Sequence, residues 1–124
     1  MASDISAGQL TPHNALGKNT ATLTIENGAA DSNAIDLNGA TFAGFQTPAA
    51  LTQTTMRFKV SADGVTYGLL YKDDNTLYSI TVPTGAVQNY AVNLALFKPW
   101  RFVKISMGGN EGAARSIPIT YTGV

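Results

Sequence analysis

The sequence predicts an all-β fold, an antiparallel sandwich or barrel of about eight or nine short strands. Three observations carry that expectation. Apolar and polar residues alternate with a period of two through most of the chain, turn-forming residues recur between the alternating runs, and no convincing amphipathic helix interrupts them. Without helices to cross over, parallel βαβ units are not expected. The clearest stretch is Thr54 to Val82. Met56, Phe58 and Val60 point one way and Arg57 and Lys59 the other, as in a half-buried strand. Asp63 and Gly64 supply residues that tolerate the positive φ of a tight hairpin. Val65, Tyr67, Leu69 and Tyr71 resume the alternation, which predicts that they share the apolar face.

The remaining elements follow in order. Residues 1–18 have no clear period: Ile5, Leu10 and Leu16 stand isolated among polar residues, and Pro12 removes a backbone donor and biases Thr11 towards an extended shape. This segment reads as an extended arm, a frayed terminus being the alternative. Ala21, Leu23 and Ile25 alternate with Thr22, Thr24 and Glu26. Asn27-Gly28 and Asp31-Ser32-Asn33 are turn chemistry. Ile35 and Leu37 form a short run ended by Gly39, and Thr41 to Gln46 another, ended near Pro48. Ala49 to Gln53 is a connector with the length of one helical turn. Lys72 to Thr76 leads into Leu77–Val82, where Tyr78, Ile80 and Val82 share a face. Tyr90, Val92, Leu94 and Leu96 alternate as a strand. Lys98-Pro99-Trp100 interrupts, and Val103, Ile105 and Met107 alternate with Phe102, Lys104 and Ser106. Gly108 to Ala114 is a glycine-rich loop, and Ile117, Ile119 and Tyr121 close the chain. Pro118 inside that last run predicts an edge strand or one that begins late.

Composition narrows the function classes. A chain of 124 residues makes one domain with one core. Charged residues make up 13%, and eight basic residues balance eight acidic ones; the usual charged share is about 25%. Nucleic-acid binding calls for a basic footprint and anionic membranes for a polybasic segment, so neither partner is expected. Low net charge gives little protection against self-association and suits a protein that lives inside an assembly. There is no cysteine, which excludes disulfides and thiolate metal sites. The first residues lack the basic and apolar regions of a signal peptide, so synthesis and use without Sec export are expected.

The residues that carry chemistry do not assemble into a catalytic pattern, and no catalytic, cofactor or metal residue is expected. His13, the single histidine, lies in the arm without the packing that a general base needs, and suits a polar contact in an interface. Asp63 and Asp73-Asp74 resemble oxygen ligands for calcium but lack a calcium-loop spacing, and Asp and Asn favour turns anyway. Nothing pairs these carboxylates with Glu26 or Glu111 for glycoside hydrolysis. Gly108-Gly109-Asn110-Glu111-Gly112 leads into a strand, whereas a phosphate loop opens a helix. Trp100, with Tyr67, Tyr71, Tyr78 and Tyr90, suggests an aromatic platform for a sugar; the tyrosines fall on the inward phase of their strands, which leaves Trp100 the freest candidate.

The stretch Gly44-Phe45-Gln46-Thr47-Pro48 through Phe58-Lys59-Val60-Ser61-Ala62-Asp63-Gly64-Val65-Thr66-Tyr67, ending in Phe97-Lys98-Pro99-Trp100-Arg101-Phe102-Val103-Lys104-Ile105, resembles small β-sandwich proteins encoded among tailed-phage structural genes. Ile35-Asp36-Leu37 and Pro48-Ala49-Ala50-Leu51-Thr52 belong to the same pattern, which covers residues 33–108. A similar order of elements occurs in jelly-roll modules of the galactose-binding type. The resemblance implies a jelly-roll-like sandwich of about eight strands over residues 19–124, behind the arm of residues 1–18. It implies a virion structural protein, first a capsid decoration or cement protein on the capsid exterior. Such a protein is made in the host cytoplasm, binds the major capsid protein and forms a homodimer or homotrimer. Ile5, Leu10, Pro12, His13 and Leu16 are the expected arm contacts. The alternative is a carbohydrate-binding module or a tail or baseplate adhesin component that uses Trp100.

Overall fold

Most of the alternating runs pair with a run distant in sequence. The computed structural model describes residues 19–123, so the expected arm lies outside the described residues. The elements are β1 (Thr20–Ile25), β2 (Ile35–Asp36), β3 (Thr41–Gln46), β4 (Thr55–Ser61), β5 (Gly68–Leu69), β6 (Ser79–Thr81), β7 (Asn89–Ala91), the four-residue helix α1 (Leu94–Phe97), β8 (Phe102–Met107) and β9 (Arg115–Thr122). They form a four-stranded sheet in the order β1-β9-β3-β7 and a five-stranded sheet in the order β2-β8-β4-β5, with β6 also on β4. All the pairs are antiparallel.

Strands β5 and β6 share one edge of β4. Thr81, Ile80 and Ser79 face Thr55, Met56 and Arg57, while Leu69 and Gly68 face Lys59 and Val60. The two strands fill one position, and residues 70–78 leave it as a side hairpin closed by the Tyr71–Leu77 bridge and the bond from Lys72 N to Thr76 O, 3 Å or less in length at 2.8 Å. Merging β5 with β6 makes the sheet orders first-eighth-third-sixth and second-seventh-fourth-fifth, the double-sheet arrangement of a jelly roll.

The core lies between the sheets. Phe42 of β3, Phe58 of β4 and Phe97 of α1 are fully buried, with ring centroids 4.9–5.5 Å apart. Leu23, Ile25, Ile117 and Ile119 pack from the four-stranded sheet, and Met56, Val103 and Ile105 from the other. The alternation read for β1, β4, β8 and β9 places these residues inside as expected.

Four expectations change. First, in the run after Gly64 the phase is inverted. Leu70 is buried, Val65 is 81% exposed and Tyr71 is half exposed. The Asp63–Gly64 turn is not a two-residue hairpin: Asp63 and Ser61 hold residues 63–66 in a wider loop, which shifts the following strand by one residue. Second, the run from Tyr90 to Leu96 ends as a strand at Ala91. Asn93 accepts from Ala95 N through its side chain and starts α1, which exposes Leu94 and turns Phe97 inward. Third, Ala49–Gln53 forms no helical turn. Fourth, β9 is an interior strand despite Pro118. Tyr121 N donates to Asn19 O on the β1 side, so alternation turns the Pro118 nitrogen towards β3. The β3–β9 register stops at Phe45 and Ile119, one residue before a donor from position 118 would be needed.

Strand β3 carries a bulge between Phe42 and Gly44. A Cβ on Gly44 would lie 2.5 Å from Tyr90 O and 3.1 Å from Thr120 Oγ1, so only glycine lets β7 and β9 approach β3 this closely. Gly44→Ala is therefore expected to lower stability by about 1–3 kcal/mol in urea unfolding. Gly85→Ala, where nothing lies within 4 Å of the added carbon, serves as the unperturbed control.

Candidate functional site

Two features of the described residues stand out: a cleft beside the five-stranded sheet, and the outer face of the four-stranded sheet. The cleft begins where β4 ends. Ser61 Oγ donates to Asp63 Oδ1 at 2.9 Å and accepts from Gly64 N at 3.0 Å, and Asp63 Oδ1 also accepts from Val65 N and Thr66 N. Those N–H donors, led by that of Thr66, hold the Asp63 carboxyl down at about 2. Gly64 has a φ of 79°, where a side chain would be strained and would meet the Phe102 ring. This loop forms one wall of an open cleft of about 590 Å³. The side hairpin supplies Tyr71 and Asp73, the α1–β8 connection supplies Pro99 and Trp100, and Leu70 and Leu96 also line it.

Trp100, expected to be the freest aromatic, is half-buried against the core and lines this cleft. Tyr78 and Tyr90 pack on the core as their phase predicts, Tyr90 stacked on Phe45 at 5.0 Å. Tyr67 and Tyr71 do not. Tyr67 lies under the Lys104 ammonium, 4.3 Å from the ring centroid, and Tyr71 faces the cleft. The sequence names Tyr71 beside Trp100 but assigns it to the inward phase; the inverted phase after Gly64 brings it to the cleft instead. The signal available was the charged hairpin tip Lys72-Asp73-Asp74-Asn75 between two apolar residues, Tyr71 and Leu77.

The second feature follows from strand parity. Thr20, Thr22 and Thr24 of β1 face Thr120, Pro118 and Ser116 of β9, and Thr41 of β3 faces Thr122. Ala91 of β7 extends the row through Gly44. None of these residues is charged. Where β3 and β9 part at Pro118, a groove of about 280 Å³ opens between Gln46, Asn89 and Thr120, again without a charged residue. The opposite sheet differs: Arg57, Lys59 and Lys104 share its outer face, with Lys59 bonded to Asp31 at 2.6 Å.

The other carboxylates serve the fold. Glu111, in the glycine-rich loop, is 1% exposed and accepts from Thr52 N at 2.8 Å, Gln53 N at 3.0 Å and Arg115 Nε at 2.9 Å. It therefore clasps the 49–53 connector to the start of β9. Asp74 accepts from Thr76 N, closing its own turn. No group of three or more His, Asp or Glu residues able to hold a metal occurs among the described residues. His13, Ile5, Leu10, Pro12 and Leu16 lie outside them. No helix among the described residues is long and apolar enough to cross a membrane.

No protein-family model matches the chain, and no curated protein matches it. Fold and surface chemistry carry the functional argument.

The Glu111 clasp has a defined pH signature. Burial pushes its carboxyl up, but the Thr52 N–H, Arg115 and the Gln53 N–H together outweigh burial and hold it below the ordinary glutamate value of 4.5. A depressed folded value means that the clasp contributes fully above the unfolded value and is lost as pH falls through the folded one. Glu111→Gln is expected to cost about 1–3 kcal/mol at neutral pH. It is also expected to flatten the fall in stability below pH 4.5, read from urea midpoints across the acid range.

Proposed function

We propose that the chain is a virion structural protein, a capsid decoration or cement protein that docks on neighbouring capsid subunits through the outer face of its four-stranded sheet. The observation that carries this reading is the charge-free row of Thr, Ser, Pro and Ala across β1, β9, β3 and β7. Interface centres are depleted in charge because a buried charge is costly to desolvate, whereas threonine offers a methyl group for packing and a hydroxyl for hydrogen bonding. The jelly-roll order of strands and the neutral composition support the same role.

The edge of that face adds directional bonding. Asn19 O accepts from Tyr121 N, so the backbone groups of Thr20, Thr22 and Thr24 point away from β9. Asn33 takes up both groups of Thr24: its side chain accepts from Thr24 N at 2.8 Å and its N–H donates to Thr24 O. The groups of Thr20 and Thr22 remain open among the described residues. They offer a short template for strand addition by a neighbour, without the lysine or proline that usually guards an edge. The partner in this reading is the major capsid protein, on the capsid exterior. Copies of the chain held as a homodimer or homotrimer gain from effective concentration, because each bound copy raises the local concentration of the next contact.

Co-sedimentation with undecorated tailed-phage capsids tests the proposal. Saturable binding that raises the capsid melting temperature is expected, and Thr22→Lys or Thr120→Lys on the exposed face is expected to abolish it. Val65→Lys, at a position 81% exposed away from that face, should bind as the parent does. Lysine variants of the face that still bind would remove the docking surface from the argument, and no binding by the parent would remove the cement role itself.

A further inference from the structure

We infer that the cleft between Tyr71 and Trp100 is a binding site for an arginine side chain presented by a partner protein. The cleft is lined by apolar Leu70 and Leu96, two aromatic side chains, Tyr71 and Trp100, and two carboxylates, Asp63 from the loop after β4 and Asp73 from the side hairpin. No lysine or arginine lines it. Its chemistry therefore selects a ligand with an apolar stem, a flat positive head and several donors.

An arginine side chain meets each of these demands. Its methylenes cover apolar surface while the head stays polar. The planar guanidinium stacks on aromatic faces and bonds carboxylates through a fixed fork of donors. The site is ready to receive it. Every hydrogen bond to Asp63 ends on Oδ1, which leaves Oδ2 free of partners among the described residues. Asp73 has no hydrogen-bond partner among the described residues and sits on the hairpin closed by the Tyr71–Leu77 bridge. The same ionised turn that builds the loop keeps one negative charge in place throughout the neutral range. An anionic ligand would meet two carboxylates and no cation. A neutral sugar would use the aromatic side chains and could donate hydroxyls to the carboxylates, but it would leave both negative charges unneutralised.

The identity of the partner as another virion protein rests on the function proposed above; the preference of the cleft for guanidinium does not. The two therefore fail separately, one in capsid sedimentation and the other in a titration of the isolated protein. Trp100 is the single tryptophan, so its fluorescence reports on the cleft directly. Titration with N-acetyl-arginine methylamide is expected to change that fluorescence saturably, while the citrulline analogue, equal in shape but uncharged, leaves it unchanged. Asp73→Asn and Tyr71→Ala alter exposed positions and should keep the fold, each weakening the response about threefold or more. An equal response to citrulline, a response to a methyl hexoside in place of arginine, or unchanged arginine affinity in Tyr71→Ala would overturn the inference.

Discussion

The contact on which this fold depends is the one between Phe58 of the five-stranded sheet and Phe42 of the four-stranded sheet, 5.5 Å between ring centroids. Neither sheet can bury its apolar face alone, and these two rings are where the faces meet. Phe97 closes edge-on against both, at 4.9 and 5.2 Å. It reaches that position because Asn93 caps a single helical turn and rotates the chain inward. Burying a large side chain of this kind contributes about 1.5–3 kcal/mol, and favourable ring geometry adds about 0.5–1.5 kcal/mol per pair. Tyr78 extends the cluster to the β5–β6 edge, so the interrupted strand position is anchored to the same rings.

Once Phe42 and Phe58 point inward, the period of two decides what the outer faces carry. On β4 it leaves Arg57 and Lys59 outside, and on β8 Lys104 directly opposite Lys59. Like charges in that position repel. Asp31 relieves the repulsion, bonding Lys59 and Ser106 at 2.6 Å each, while Lys104 settles over Tyr67. Burial pushes the Asp31 carboxyl up, but the Lys59 and Ser106 bonds and the nearby lysine charges outweigh it and keep the group below its ordinary value. On β1 and β9 the same parity leaves only Thr, Ser and Pro outside. The molecule is consequently two-sided: ions gather on one sheet and hydroxyls and methyls cover the other. Net neutrality in the composition hides that division.

The fold was legible wherever alternation was unbroken. Met56, Phe58 and Val60, and Val103, Ile105 and Met107, lie inside as their period requires. It failed where a local side-chain bond resets the backbone. The Asp63 turn shifts the next run by one residue and exchanges Leu69 for Leu70 in the core, and the Asn93 cap replaces two residues of an alternating pattern with a helical turn. Both Asp and Asn compete with strand pairing by bonding nearby N–H groups, so the apolar period alone cannot report them. Pro118 misled for a different reason: whether a proline breaks a sheet depends on which neighbour its nitrogen faces, and that is a property of the register. Of the site, Trp100 was visible as an aromatic at a strand start. Tyr71 reads as a core residue and Asp63 and Asp73 as turn residues, because their convergence on Trp100 depends on three separate connections.

Under the proposed role, two unlike surfaces would let each copy contact more than one kind of neighbour. The charge-free face belongs to β1, β9, β3 and β7, and the acid-rimmed cleft to the ends of β4 and β5, the side hairpin and the α1–β8 connection. In that role these unlike surfaces on different sheets would meet different partners. The first surface would bind its partner by shape and desolvation and be insensitive to salt, while the second would bind by charge and be screened by it. Under the proposed role, that difference lets the first contact set the position and the second choose the neighbour. The rigid aromatic core between the sheets fixes the geometry that both contacts must share.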